Sequence, residues 1–374
     1  MTSLIVNAAP TPSAEGDFVI DGVFPLDAGG ALNSPTIHYA IYGKPDAARD
    51  NVVLVCHALS GSALVAEWWP QLFLQSGRAG GLLDLERECV IGINILGSCY
   101  GSTGPGSINP LTGRAYGPLF PLIGIRDIVR SQALLLDSLG ISRIRLAIGA
   151  SIGGMQALEW SILFPERVER VVSIGVAPLS AMGLGLNHLQ RQAIQLDPAW
   201  NGGDYAPDSP PRRGLALARA LAVSTYKSAE LFEERFARKP DRCGEDPWAG
   251  ELPTGEVAGL NGGRFDVAGY LDHQGDKFNQ RFDANSYLAI TRTMDTFDPV
   301  RGYPSRAAAY RHIQAAVTLV GISSDWLFSP ADIRAMADQM KAAGVRCEYR
   351  ELQSSHGHDA FLAEPDALLA LLAV

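Results

Sequence analysis

IRLAIGASIGGMQALEWSILFP, residues 144–165, decides the fold. Its first part, IRLAIGA (144–150), is a continuous apolar run of the kind that forms a strand buried on both faces. Its second part, GGMQALEWSILFP (153–165), carries apolar residues at helical spacing and ends at Pro165, a helix stop. Between them lies Gly149-Ala150-Ser151-Ile152-Gly153, a G-x-S-x-G sequence. Small residues are common, so the pattern alone is weak; its setting between strand and helix makes it strong. A serine on such a strained turn takes a positive φ, and the residues two before and two after it must lack bulk. The alternative is a glycine-rich turn with a passive serine.

The same rhythm extends on both sides. Upstream, VVLVCHA (52–58) and CVIGINILG (89–97) read as buried strands, and IRDIVRSQALLLDSLGI (125–141) as a helix stopped at Gly140. Downstream, VERVVSIGVAP (168–178) is the next strand. Strands alternating with helices at this spacing predict a parallel sheet with crossover helices. Before it, FVIDGVF and TIHYAIYG, between Phe18 and Gly43, read as a β hairpin, and residues 1–15 as a loose leader. The rhythm breaks near residue 180. Residues 181–300 carry helical patches such as LNHLQRQAIQL and GLALARALAVSTY between Gly/Pro-rich loops such as NGGDYAPDSPPRRG. They read as an inserted helical lid. The sheet pattern resumes with AAVTLVGISS (315–324), the helix PADIRAMADQMKAAG (330–344), the strand CEYREL (347–352) and a closing helix. The α/β core is thus 16–180 together with 301–374.

A nucleophilic serine needs a base, and the base an orienting carboxylate. In the α/β-hydrolase fold that this strand–turn–helix pattern specifies, they follow the serine in the order acid, then histidine, at the ends of later strands. Asp325 lies just past VTLVGISS and His358 just past CEYREL, so Ser151, Asp325 and His358 are the candidate triad. His356 is a rival for the base, and a loop-capping role is the alternative for Asp325. Most of the remaining histidines, His38, His188, His273 and His312, lie far from the strand ends that feed the site and read as structural. An oxyanion hole needs two backbone N–H groups. Ile152, after the nucleophile, and Leu59, in the HALSG loop after an early strand, are the candidates. NILGSCYGSTGPGSINP (94–110) is a long ordered loop near the ligand-binding edge of the sheet, either part of the site or purely structural.

Composition narrows the function classes. The 374 residues allow two to three domains, or one elaborated α/β domain. A formal net charge of −9 argues against a broad nucleic-acid surface, although it leaves room for a local basic pocket. No P-loop or dinucleotide fingerprint is present. Five scattered cysteines, Cys56, Cys89, Cys99, Cys243 and Cys347, form no metal-ligand spacing and no disulfide framework, so no metal is expected and a reducing compartment is. No signal-peptide pattern and no apolar run of membrane-spanning length appears, which points to a cytoplasmic protein with no membrane partner.

The ordered set HALSG, NILGSCYGSTGPGSINPLTGRAYGP, FPLIGIRDIVRSQ, GASIGGMQALEW, LNHLQRQAI, DPAWNGGDY, GDKF, RFDANSYL and GHDAFL resembles the homoserine O-acetyltransferase family from about residue 18 to the C-terminus. The resemblance implies a helical lid over a tunnel, a homodimer, and acetyl-CoA as co-substrate with no bound cofactor. It also implies a ping-pong reaction in which Ser151 takes the acetyl group and the hydroxyl of L-homoserine removes it. By the same resemblance Asp359 meets the homoserine amino group and Arg219 its carboxylate, a task suited to a guanidinium fork. Two departures stand out. Ile152 replaces the family's usual methionine, and after HALSG the chain reads SALVAEWWPQLFLQSGRAGGLLDLERE where the family commonly has an Asp-His pair. Related members use succinyl-CoA or accept L-serine, so donor and acceptor stay open within the family. A hydrolase with the same triad, and a catalytically dead binding module on the same fold, are the readings from other classes.

Overall fold

In the computed structural model, residues 9–74, 81–242, 246–251, 254–255, 257, 260 and 263–373 are described. One eight-stranded sheet organises them. Its strands are β1 (Ala14–Val19), β2 (Thr36–Tyr42), β3 (Val52–Cys56), β4 (Cys89–Ile93), β5 (Leu146–Ala150), β6 (Arg170–Ile174), β7 (Ala316–Ile322) and β8 (Cys347–Leu352). In space they run β1-β2-β4-β3-β5-β6-β7-β8. β1–β2 and β2–β4 pair antiparallel, and every pair from β4 onward is parallel.

Every residue of β3, β4 and β5 is buried. Side chains alternate across a strand, so each run feeds two cores. Val52, Leu54 and Cys56 join a core with the helices α1 (Ile125–Ser138), α2 (Ile152–Leu163) and part of the helical insert. Val53 and Val55 join the other, with Trp69, Phe361 and the closing helix Pro365–Leu372. Apolar residues at both strand faces are therefore required, and the continuous runs in the sequence follow from that. The parallel strands end together at Cys56, Ile93, Ala150, Ile174, Ile322 and Leu352, which aligns the loops that follow them along one edge.

Element ends differ from expectation where chain geometry overrides composition. β5 starts at Leu146 because Ile144 makes only an isolated bridge to Val168. α1 stops at Ser138, and Gly140 follows with φ +68°, the left-handed conformation that closes a helix end. The expected hairpin pattern is borne out in part, since β1, which holds Phe18 and Val19, pairs antiparallel with β2, but the extent of the first segment is a correction. FVIDGVF is not one strand: Gly22, at φ +77°, breaks it. Val23–Pro25 then pairs with Ala31–Asn33 in a separate ribbon, while β1 pairs with β2. The expected leader 1–15 falls partly outside the described residues, and its last two residues already belong to β1.

Between β6 and β7 lie the helices α3 (Ala181–Gln195), α4 (Arg212–Tyr226), α5 (Asp266–Asn279) and α6 (Ala284–Asp295), with the shorter Ala229–Arg235 after α4. α4 packs on α3 and α5, and α3 also on α6. The insert is continuous with the body: Phe278, Tyr287, Ile290 and Met294 share one core with Ile123, Ile128 and Met155. Thr293 Oγ1 also donates to the Ile123 carbonyl at 2.7 Å.

Candidate active site

Ser151 follows β5 directly and caps α2 with φ +56° and ψ −131°. For a non-glycine residue this is a strained conformation, of order 1–3 kcal/mol, held by its surroundings. Those surroundings demand glycine. A Cβ on Gly149 would lie 2.3 Å from the Gly153 carbonyl carbon, and one on Gly153 2.1 Å from the Cys56 carbonyl oxygen. The G-x-S-x-G spacing is therefore a packing requirement between α2 and the ends of β3 and β5.

Asp325 and His358 stand in the loops after β7 and β8. His358 Nδ1 is 2.6 Å from Asp325 Oδ2, and both side chains are essentially excluded from solvent. The other carboxylate oxygen, Asp325 Oδ1, accepts the N–H groups of Leu327 and Phe328 at 2.9 and 3.0 Å. The carboxylate is thus fixed in rotation, with one oxygen aimed at the imidazole. Phe328, Tyr226 and Phe361 surround that ring at 5.2–6.3 Å. Gly175, at φ +61°, leaves it room: a Cβ there would sit 3.0 Å from His358 Cε1. Burial disfavours the imidazolium, but the charge and hydrogen bond of Asp325, with the charge of Asp359, outweigh it and raise the His358 pKa above its usual value. His358 Nε2 is buried and takes no partner among the described residues. The rival, His356, bonds Glu364 at 3.0 Å instead.

A cavity of about 460 Å³ opens over these residues; Ser151, His358, Leu59, Arg219 and Asp359 all line it. Of the other expected site residues, Asp325 stands behind His358, and Ile152 has its side chain wholly buried while its amide, next to Ser151, starts α2. Neither the Leu59 nor the Ile152 N–H has a backbone acceptor among the described residues. Arg219 makes no ion pair there; its guanidinium lies over the rings of Phe278 and Tyr226, at 4.9 and 5.7 Å. Asp359 is paired, with Lys227 Nζ 2.8 Å from Oδ2, which leaves Oδ1 for a second cation. No group of three or more His, Cys, Asp or Glu side chains among the described residues could hold a metal ion.

Several contributors were not legible in advance. Arg281, Tyr100, Tyr226 and Trp68 also line the cavity. Arg281 reaches it from the turn after α5, and Tyr100 from the loop at 94–110. That loop is pinned by Asn94, which accepts from Ala63 N at 2.6 Å, and by Ser102, which bonds Asn94 O and His38 N. It is both structural and part of the wall. His57 was hidden inside HALSG. It is buried, its Nδ1 donates to Ala58 O at 2.8 Å, and its Nε2 accepts from Ile95 N at 3.1 Å. With both nitrogens engaged in this tautomer, burial pulls its pKa down to about 4. A buried amide chain supports the same loop: Trp160 donates to Gln132, Gln132 to Gln156, and Gln156 to the carbonyls of Ile152 and His57.

A family model for the alpha/beta hydrolase fold matches residues 51–365. The homoserine O-acetyltransferase of Trichormus variabilis is 43% identical over 350 residues, 93% of this chain and 90% of that one. The chain belongs to the homoserine O-acetyltransferase family of alpha/beta hydrolases. The family has neighbours of more than one activity. The homoserine O-succinyltransferase of Laribacter hongkongensis is 41% identical, covering 93% of this chain and 91% of its own. Among solved structures, esterase E22 superposes with a TM-score of 0.82 at 25% identity, over 96% of this chain and 99% of that one. The homoserine O-acetyltransferase from Bacillus anthracis reaches 0.84 at 24% identity, covering 96% and 98%, a likeness of fold.

Proposed function

We propose that the chain transfers an acetyl group from acetyl-CoA to the side-chain hydroxyl of L-homoserine through an acyl-serine intermediate. The observation that carries this is the composition of one cavity. The Ser151–His358–Asp325 constellation shares its walls with a cation, Arg219, and a carboxylate, Asp359, the two charges that an amino-acid zwitterion complements. A simple esterase has no use for that pair.

His358 Nε2 takes the Ser151 hydroxyl proton as Oγ attacks the thioester carbonyl. The oxyanion rests on the N–H groups of Leu59 and Ile152, each such donor being worth about 10²–10³ in rate. The tetrahedral adduct collapses, His358 returns the proton to the departing thiol of CoA, and acetyl-Ser151 remains. The homoserine hydroxyl, its carboxylate on Arg219 and its ammonium near Asp359 Oδ1, gives its proton to His358 and attacks the ester carbonyl. Collapse releases O-acetyl-homoserine and restores Ser151. Asp325 stabilises the imidazolium through both half-reactions. CoA is a co-substrate here and no cofactor is resident.

A succinyl donor is the second reading, because Arg281 gives the cavity a cation beyond the one that an amino-acid carboxylate needs. A matrix of acetyl-, propionyl- and succinyl-CoA against homoserine and serine, read by mass spectrometry, separates the members of the family. Rapid p-nitrophenyl acetate turnover that no amino acid stimulates would instead make the chain a hydrolase.

We also place the enzyme in the cytoplasm as a homodimer. Met182, Leu189 and Leu196 recur every seventh residue along α3 and its C-terminal end, on one face, and all three are exposed. A stripe at that spacing fits a helix from a second copy. The described cysteines are all free thiols, in keeping with a reducing compartment; Cys243 lies outside the described residues.

A further inference from the structure

Arg281 sits on the helical insert, yet its side-chain hydrogen bonds are with the body. Nη1 donates to the Ser60 carbonyl at 2.8 Å and to the Tyr100 hydroxyl at 2.9 Å, and the guanidinium packs on the ring of Phe278 at 5.3 Å. The Ser60 carbonyl belongs to the peptide group whose N–H is that of Gly61. That N–H donates to the Ala58 carbonyl at 2.9 Å. The Ala58 carbonyl in turn belongs to the peptide group whose N–H is that of Leu59, the amide assigned to the oxyanion. The His57 Nδ1–H reaches the same Ala58 carbonyl at 2.8 Å.

Taking Ser151 as the acylated residue, we propose that Arg281 is a positioning residue for the oxyanion hole. A relay of two peptide groups runs from its guanidinium, through Ser60–Gly61 and Ala58–Leu59, to the Leu59 N–H. Each bond is oriented donor to acceptor toward the cavity, so the cation at one end polarises the amide at the other. Hydrogen bonds in series strengthen one another, by about 10–30% per bond. The relay also fixes direction. A guanidinium on the Ser60 carbonyl stops that peptide from turning over, and the Gly61 N–H then holds the Ala58–Leu59 peptide with its own N–H toward the cavity. The spacing is tight: a Cβ on Gly61 would lie 2.9 Å from His57 Cβ. Arg281 thereby makes the oxyanion hole of the body depend on the helical insert. Its role is distinct from holding an anionic substrate group.

The test uses p-nitrophenyl acetate, a donor with no phosphate and no carboxylate for Arg281 to bind, and the full-length protein. Wild type, R281M and R281K are compared by pre-steady-state release of p-nitrophenol, with S151A as the blank. A lost oxyanion donor costs about 10²–10³ in rate; a donor weakened and less well aimed should cost R281M roughly tenfold in the acylation rate at saturation, with the half-saturating ester concentration unchanged. R281K, which keeps the charge, should recover part of the loss. The infrared carbonyl band of the acetyl-enzyme should move to higher frequency in R281M, since a weaker oxyanion hole polarises that carbonyl less. Unchanged p-nitrophenol release and an unchanged band in a folded R281M, with a defect only toward acyl-CoA, would overturn the relay and make Arg281 a substrate anchor. Release of p-nitrophenol by a folded S151A at the wild-type rate would overturn the nucleophile assignment and the relay with it.

Discussion

Replacing Asp325 by asparagine tests the site at its most constrained point. Asp325 Oδ1 accepts two backbone N–H groups, from Leu327 and Phe328, and Oδ2 faces His358 Nδ1 at 2.6 Å. An asparagine amide has one acceptor and one donor end. Two fixed donors claim the acceptor end, so the NH₂ must face His358. Nδ1 then has to accept, its proton moves to Nε2, and the imidazole can no longer take the Ser151 proton. The same substitution in a serine protease triad costs about 10⁴ in kcat through the wrong tautomer, equivalent to about 5 kcal/mol of transition-state stabilisation. D325N should therefore lose about four orders of magnitude in thiol release from acetyl-CoA with homoserine. Its melting temperature should stay close to wild type, because both backbone hydrogen bonds survive.

The pH profile provides a second readout of D325N. In wild type the carboxylate raises the His358 pKa, and His358 must be neutral to act as base, so the acid limb of kcat/KM should lie above pH 6.5. In D325N burial acts without the Asp325 charge, and the acid limb of the residual activity should move down. A folded D325N within tenfold of wild type would refute the assigned geometry.

Arg219→Met should raise the homoserine KM by about 10–100-fold, the worth of a charge-assisted hydrogen bond, while the p-nitrophenol burst stays as in wild type; a changed burst would mean that Arg219 serves acylation instead. His57→Gln should alter the pH dependence of stability. The folded His57 pKa is lowered to about 4, so the unfolded chain takes up a proton that the native one refuses as pH falls below 6.5. Wild type should lose about 3 kcal/mol between pH 6.5 and 4 from this group alone. The difference between wild type and variant in urea titrations across that window reads it; identical curves would show that the imidazole is protonated in the fold. Leu189→Glu should convert a dimer to a monomer in light scattering, and an unchanged mass would put the contact elsewhere.

How much of this was legible in the sequence depended on whether a residue's task is local. Ser151, Gly149 and Gly153 could be read because the turn they build is a property of consecutive residues. Asp325 could be read because it follows an apolar, largely buried strand, and His358 because it follows CEYREL, a half-buried edge strand legible from its place after the last crossover helix rather than from apolarity. Arg219 and Asp359 came by resemblance; no spacing could have shown that α4 turns Arg219 inward onto Phe278 while Lys227 claims one oxygen of Asp359. Arg281, Tyr100 and His57 stayed hidden because their partners are set by tertiary packing, as with Arg281 and Ser60, which are far apart in sequence. The misread extent of the FVIDGVF strand has another cause. Alternation continues through Gly22, but a residue at φ +77° cannot extend a strand.

The core shared by insert and body bears on how such enzymes can change hands between substrates. Phe278, Tyr287, Ile290 and Met294 pack in one unbroken interior with Ile123, Ile128 and Met155. A cassette exchange that brought in a relative's helical segment would replace every residue the insert contributes to that interior at a stroke. Protein interiors lose about 2–5 kcal/mol for a single large residue cut back to alanine, so a transplanted segment with mismatched shapes would unfold before it could be selected for a new acceptor. Divergence in this architecture should instead run through single residues on the cavity wall, such as the exposed Glu67 in the departing stretch after HALSG, which can change without disturbing the interior behind them.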